Sequence, residues 1–356
     1  MNVPARAESA TPQIASAPSR LRARLLHQLR LELDPYLLRR QGAGDGVALP
    51  RQYWQKALGT PLRDFLGRGS KMFRAHMAEW AWAAAGGEGE LCIAIPLAVE
   101  ALHAGSLIID DIEDNAGFRR GDVALHERYG TATAINAGNW LYFWPVRLIS
   151  EAGFNPEQEL AALKKLGETQ HRSHLGQGLD VALKVHDIHQ EDMAGIVQSK
   201  TALKTGALMG LSAYLGALGA GAGPEAREAF ARFGEGLGGV LQMLDDAGSI
   251  TSEDRAEKAR EDLIQGTPTW PWVWAAQSLD GPAYRELVDL SHEVQAGRVD
   301  YTFLRQRLRP LLPADLSAQL RGELEVALDE LRPAIARPAC VEIMYREFTR
   351  LEQSYA

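Results

Sequence analysis

Cysteine is scarce: Cys92 and Cys340 are the only two in 356 residues. Lying so far apart, they supply neither a disulfide framework nor a metal knuckle, and a reducing cytoplasm is the expected setting. No run approaches the ~18 consecutive apolar residues of a membrane span, and the N-terminus lacks a signal-peptide core, so a soluble chain is expected. Alternating β-branched runs are also missing, which argues against a sheet. Positive charge is in deficit, with 38 Lys and Arg against 46 Asp and Glu, a formal net charge of −8. Binding to nucleic acid needs basic surface to release counterions, so any phosphate site here must be a local cluster of Lys, Arg or metal. Small phosphorylated ligands fit that constraint and a nucleic acid does not.

Apolar residues make up 46% of the chain and charged residues 24%, enough for a substantial core. Residues 1–19 are rich in Ala, Ser and Pro without periodicity and read as a disordered leader, leaving 20–356 as one helical domain. From there apolar residues recur at three and four, as in Leu21, Leu25, Leu29, Leu33 and Leu37. Gly and Pro clusters at 41–50, 86–89, 217–224 and 309–313 punctuate the stripes, so the pattern predicts an all-α bundle with no sheet. The segment 91–109 is apolar almost all round and is expected at the centre of that bundle.

At its C-terminal end stands Asp110-Asp111-Ile112-Glu113-Asp114. On a helix Asp110 and Asp114 share a face and Asp111 lies about 100° round. Mg²⁺ prefers carboxylate and phosphate oxygens, so acids at this spacing suit metals that bridge to a diphosphate. A solvated helix end is the plain alternative, but the apolar run upstream and Arg119-Arg120 downstream favour a site at the mouth of an apolar hole. A second acidic pair, Asp245-Asp246, follows the apolar, Gly-rich stretch 233–244 behind Gln242. Two acidic helix ends can therefore face each other.

The stretch VEALHAGSLIIDDIEDNAGFRRG at 99–121 resembles the first aspartate-rich region of trans-isoprenyl diphosphate synthases, above all the geranylgeranyl type. Order and spacing hold further along: GSKMFR at 69–74, GQGLD at 176–180, Lys200-Thr201, LQMLDD at 241–246 and DLIQGTPTWP at 262–271 resemble the family's remaining blocks. The resemblance implies an isoprenoid synthase-like helical bundle around a central apolar cavity. It implies a homodimeric transferase that joins isopentenyl diphosphate to an allylic prenyl diphosphate with Mg²⁺. It further implies that Asp110, Asp111 and Asp114, with Asp245 and its neighbour Asp246, hold the metal. Arg119, Lys200, Thr201, Gln242 and Lys258 would face the allylic diphosphate, and Lys71, Arg74, His103 and Arg120 the diphosphate of isopentenyl diphosphate. Such a reaction proceeds by ionisation, so charge neutralisation replaces a protein nucleophile, and no Ser-His or Cys-His pair is needed. Gly105 and Ser106, one to two turns upstream of Asp110, are small and are expected to leave the tunnel open, with Ala101 and Leu102 near its floor. A product of about twenty carbons or more is the expectation from ~1.5 Å of rise per residue.

The chain departs from the family pattern at Ser249, where a third aspartate is usual, and at Thr267, where a lysine is usual. Asp245, Ser249 and Glu253 then also fit the metal motif of class I terpene cyclases, at steps of four. A cyclase on the same fold is the second reading, although Lys71, Arg74 and His103 would have no evident use there. A non-catalytic subunit that tunes a partner synthase is the third.

Other patterns have plain readings. Gly234, Gly236 and Gly239 match a dinucleotide fingerprint but have no preceding strand, so tight helix packing is expected. His171 with His174, and His186 with His189, lack a third converging ligand and are expected at the surface. Trp140, Trp144, Trp270, Trp272 and Trp274 are expected to fill core or interface.

Overall fold

The computed structural model describes residues 18–33 and 50–355, apart from the side chains at 254, 256, 257, 354 and 355. Helix α1 spans Pro18–Glu32 and buries Leu21, Leu25 and Leu29, with Leu33 just beyond it. It begins two residues inside the expected leader; the rest of that leader, and Leu37, lie outside the described residues. Helix α2 (Phe73–Ala84) turns through Gly86 and Gly89, both at positive φ, into α3 (Ala94–Glu113). Every residue of α3 from Ala94 to Leu102 is buried, as the unbroken apolar run requires.

After α3 the chain forms a feature that periodicity did not reveal. Phe118–Arg119 (β1) pairs antiparallel with Asp122–Val123 (β2). Arg120 and Gly121 between them have φ of 53° and 76°, the positive values a two-residue hairpin turn of type I′ needs. Two-residue strands are too short to alternate, so no pattern announces them. Among the described residues this is the only sheet.

Helices α4 (Thr131–Ser150) and α5 (Pro156–Ala182) follow. A capping box between Asn155 and Gln158, with Pro156 in the first turn, fixes where α5 starts. Helix α6 (Met193–Thr201) runs through a π-helical turn, Ala202–Gly206, into α7 (Ala207–Gly219), which is buried from Ala207 to Leu218. Helix α8 (Pro224–Thr251) lies against α7 at backbone distance. A Cβ on Gly234 would stand 2.5 Å from the Met209 carbonyl oxygen, and one on Gly238 2.9 Å from the Gly206 Cα. The glycine-rich stretch is therefore a packing seam, and Gly236 and Gly239 take no part in it. Helices α9 (Ala256–Gln265) and α10 (Trp270–Ser278) complete the wall around the site.

The C-terminal helices α11 (Leu316–Leu331) and α12 (Ala339–Tyr355) are not an appendage. Leu320, Leu324, Leu328 and Phe348 are buried in one cluster with Trp80, Phe230 and Phe233 of α2 and α8. The Trp80 indole donates to the Cys340 carbonyl at 2.8 Å. Trp144, Trp270, Trp272 and Trp274 are all buried, which makes them core residues.

Candidate active site

A cavity of about 360 Å³ opens between the C-terminal ends of α3 and α8. Asp110 and Asp114, one helical turn apart, both line it. Asp111 turns away: it is fully buried, its Oδ1 accepting from Arg119 Nε at 2.5 Å and ion-paired with Nη2 of the same guanidinium at 2.5 Å. Burial raises the Asp111 carboxyl to about 6 even though Arg119 pulls it down. Asp111 therefore holds Arg119, whose Nη2 reaches 3.8 Å from Asp110 Oδ2 at the cavity edge. The hairpin sends Arg120 the other way, its guanidinium 5.2 Å from the centre of the Phe65 ring and outside the cavity lining.

Across from Asp110 stand side chains of α5 and the π turn. Gln177 donates to Asp110 at 3.0 Å and to Glu113 at 2.6 Å. Lys204 bridges Asp110, at 3.2 Å, and Asp180. Lys200, four residues earlier, donates to the other oxygen of Asp180 at 2.8 Å and to the Pro268 carbonyl at 2.5 Å. Burial opposes the Asp180 charge, but the two lysines outweigh it and hold the carboxyl at about 2. Thr201, between them, accepts the Trp270 indole hydrogen at 3.2 Å.

On α8 both acids line the cavity in different ways. Asp245 is ion-paired with Arg255 and Lys258. Asp246 is buried, accepting from Gln242 at 2.8 Å and from the Trp270 backbone at 3.1 Å. Burial, reinforced by Asp262, raises it to about 6. Gln242 in turn accepts from Thr205 at 2.8 Å. Thr267 also lines the cavity.

Two residues expected as metal ligands stand elsewhere. Ser249 is buried and donates to the Asp246 carbonyl at 2.7 Å. Glu253 accepts from Arg305 at 3.1 Å outside the cavity lining. The step of four breaks because α8 ends at Thr251 and Ser252 is extended, with ψ of 131°. Glu253 thus falls past the helix end and off the face of Asp245.

Of the residues expected at the second diphosphate, Arg74 and His103 line the same cavity. Arg74 donates to His103 Nε2 at 3.0 Å. Burial, then the Arg74 and Arg120 charges, push His103 well below its usual range, so it is a neutral acceptor. Both line the cavity; Lys71 is exposed outside it, its ammonium lowered by partial burial and by Arg255 and Arg350.

Below the acids the wall is apolar, with Leu102, Ile109 and Leu208, joined by Ser106 and Tyr142. Burial, with Glu113 and Asp110 nearby, pushes the Tyr142 phenol up to about 12. Gly105 does not face this space. A Cβ there would stand 2.9 Å from the Gly138 carbonyl oxygen and 3.0 Å from Leu141 Cβ, so Gly105 serves the crossing of α3 and α4. Ala101 is core, while Leu102 reaches the wall. His171, His174, His186 and His189 are all exposed.

Among the described residues no three His, Cys, Asp or Glu side chains are gathered ready to hold a metal. The donor set still fits Mg²⁺, which is held by one or two carboxylates and completed by phosphate oxygens and water. Asp114 shows the fit: although exposed at the cavity mouth, it is raised to about 7 by partial desolvation and then by crowding from Asp110, Asp180 and Asp262. A divalent cation offsets such repulsion. Gln177, Asp180 and Asp262 stand inside the motifs at 176–180 and 262–271 but carry no assigned role in the sequence, and Lys204 lies outside every motif named. For Lys204 a signal was present, since Lys204-Thr205 repeats Lys200-Thr201 four residues on.

A polar mouth with carboxylates and ammonium groups beside an apolar wall has the chemistry to hold a ligand with a phosphate head and a hydrocarbon tail. Residues 55–302 match the family model described as polyprenyl synthetase, and the chain belongs to that family. It is 32% identical over 236 residues to the geranylfarnesyl diphosphate synthase of Aeropyrum pernix, covering 60% of this chain and 72% of that one. With the geranylgeranyl diphosphate synthase of Methanosarcina mazei it shares 31% over 210 residues, 58% of this chain and 64% of that one. Among solved structures, the geranylgeranyl pyrophosphate synthase from Lactobacillus brevis superposes with a TM-score of 0.70 at 20% identity over 97% of both chains. A polyprenyl synthase from Caulobacter crescentus gives 0.59 at 22% identity over 90% of both. The structural likenesses establish the all-α fold.

Proposed function

We propose that this chain is a Mg²⁺-dependent prenyltransferase that condenses isopentenyl diphosphate with an allylic diphosphate into a longer all-trans prenyl diphosphate. The expected length is about twenty carbons or more. The observation that carries this reading is a single cavity lined by Asp110, Asp114, Asp245 and Asp246, by Lys200, Lys204 and Lys258, and by the apolar Leu102, Ile109 and Leu208. The synthase names of the relatives support it.

Breaking the allylic carbon–oxygen bond leaves a carbocation and a pyrophosphate whose charge must be stabilised. Bound Mg²⁺ supplies Lewis-acid neutralisation of the diphosphate, with Asp110, Asp114 and Asp245 as its first-choice ligands. Lys204, Lys258 and Arg119 then offer donors to the remaining oxygens. Arg74 and neutral His103, 3.0 Å apart in the cavity lining, would take the second diphosphate, while Lys71 lies outside that lining. Holding both substrates in one cavity makes the attack local, and the apolar wall keeps water from the cation.

Purified protein incubated with Mg²⁺, isopentenyl diphosphate and dimethylallyl, geranyl, farnesyl or geranylgeranyl diphosphate is expected to give longer diphosphates by mass spectrometry. Hydrocarbons formed from one allylic diphosphate alone would overturn the reading in favour of a cyclase. The placement of Ser249 and Glu253 argues against that outcome. Ser249→Ala and Glu253→Gln are accordingly expected to keep turnover within about threefold, as changes off the reacting groups do. Loss of turnover in both would return the cyclase motif to contention.

Homodimerisation belongs to the same reading. Ile135, Phe143 and Val146 of α4 are exposed, Phe143 at 72%, an apolar face that a second copy would cover. No helix among the described residues is long and apolar enough to cross a membrane. The two cysteines are unpaired, in keeping with a cytoplasmic setting.

A further inference from the structure

We infer that Arg68 is a positioning residue for the site, clamping the hairpin at the Arg119 carbonyl and so fixing how the Arg119 guanidinium meets a diphosphate in the cavity. The inference rests on the prenyltransferase reading above and adds to it a residue outside the cavity lining. Its starting point is the weakness of the hairpin. Two strands of two residues joined by a tight turn are at best marginal in water, and Phe118, at 70% exposure, gives this pair little apolar burial of its own. The direction of Arg119 therefore has to be imposed from outside.

Arg68 caps the C-terminal end of the short helix Thr60–Gly67 and is buried. Its Nη1 donates to the Arg119 carbonyl at 3.1 Å and its Nε to Asp64 Oδ1 at 3.3 Å. The other oxygen of Asp64 accepts from Arg128 Nη1 at 2.8 Å, and Arg128 Nη2 is paired with Asp122. Asp122 stands opposite Arg119 in the hairpin register. Arg68, Asp64 and Arg128 thus close a ring through both strands, gripping them at the two residues that flank the turn. Phe65 completes the grip. Its buried ring lies 5.5 Å from the Arg68 Cζ and 5.2 Å from that of Arg120, which holds Arg120 away from the cavity while Arg119 turns toward it. The ring is a costly way to gain stability, because Arg68 Nη2 is buried with no hydrogen-bond partner and a buried ion pair seldom outperforms apolar packing. What it supplies is direction: a planar fork with donors at fixed angles ties a carboxylate on one element to a carbonyl on another.

The test is a double-mutant cycle on the full-length protein, read as Mg²⁺-dependent binding of inorganic pyrophosphate by calorimetry, with circular dichroism as the check on folding. Arg68→Met and Arg119→Met are each expected to weaken binding, by about fivefold and about tenfold respectively. The two together are expected to bind no more weakly than Arg119→Met alone, because Arg68 acts only through Arg119. A merely structural loss would multiply with the loss of Arg119, so a double variant weakened by the product of the two single effects overturns the inference. A folded Arg68→Met protein that binds as the unaltered chain does overturns it too. Should Arg68→Met fail to fold, Arg128→Gln opens the same ring from its more exposed side and takes its place in the cycle with the same expectation. Absence of condensation by the unaltered chain overturns the prenyltransferase reading, and the pyrophosphate cycle is read independently of it, so the two failures are told apart. An unaltered chain that binds no pyrophosphate overturns both.

Discussion

Asp110→Ala is expected to lower turnover by roughly a thousandfold, about 4 kcal/mol of transition-state stabilisation, while leaving the fold intact. Asp110 is where the groups of the site converge: Gln177 at 3.0 Å, Lys204 at 3.2 Å and Arg119 at 3.8 Å all approach its carboxylate. Removing it takes away a metal ligand and the partner that draws Lys204 over the cavity. It also lessens the crowding that keeps Asp114 up at about 7, so Asp114 should titrate lower in the variant. Asp111→Ala is the informative companion. It removes no cavity-facing oxygen but frees Arg119, so its loss should be smaller and should fall on substrate affinity as much as on turnover. Mg²⁺-dependent binding of inorganic pyrophosphate, measured by calorimetry, separates the two: it should vanish in Asp110→Ala and weaken in Asp111→Ala. Equal binding by both variants and the unaltered protein would remove Asp110 from the metal site.

The first acidic cluster was legible because its chemistry is local: acids at fixed spacing behind a run apolar all round fix both the helix and the end that bears charge. The glycine-rich stretch before Asp245 was legible for the opposite reason, since missing side chains at Gly234 and Gly238 can only mean a close neighbour when no strand precedes them. What sequence could not supply was where a helix departs from ideal geometry. Spacing by four put Ser249 and Glu253 on the Asp245 face, but the helix stops at Thr251. Two Lys-Thr pairs four residues apart look equivalent on a uniform helix, yet the π turn over Ala202–Gly206 intervenes and gives the reach to Asp110 to Lys204. Gly105 was read as an opening because it is small, and the smallness serves Gly138 instead. In each case the residue type was informative and its direction was not, since direction is set by a neighbour distant in sequence.

Lys204→Met is expected to cost about a hundredfold in turnover or more, and Lys200→Met clearly less, although the two lysines share Asp180. Lys200 gives its second hydrogen bond to a backbone carbonyl, Pro268, whereas Lys204 gives its own to Asp110 at the site of charge development. A fixed cation aimed at a leaving diphosphate acts on the transition state, so the Lys204 change should appear in kcat beyond any change in KM. The shared carboxylate provides an independent check through pH. Asp180 is held at about 2, below the ordinary aspartate value near ~3.9, so its contribution to stability is fully present above that ordinary value and is lost as pH falls through about 2. Asp180→Asn should therefore lower Tm at neutral pH, by an amount that shrinks as the pH is taken down toward 2. Removing Lys204 takes one of the two charges that hold Asp180 down, so in Lys204→Met the Asp180 contribution should be smaller and should be exhausted at a higher pH than in the unaltered protein. A Lys204→Met protein whose acid stability profile matches that of the unaltered chain would mean that Lys200 alone governs Asp180, and would shift the main cationic role at this edge of the cavity from Lys204 to Lys200.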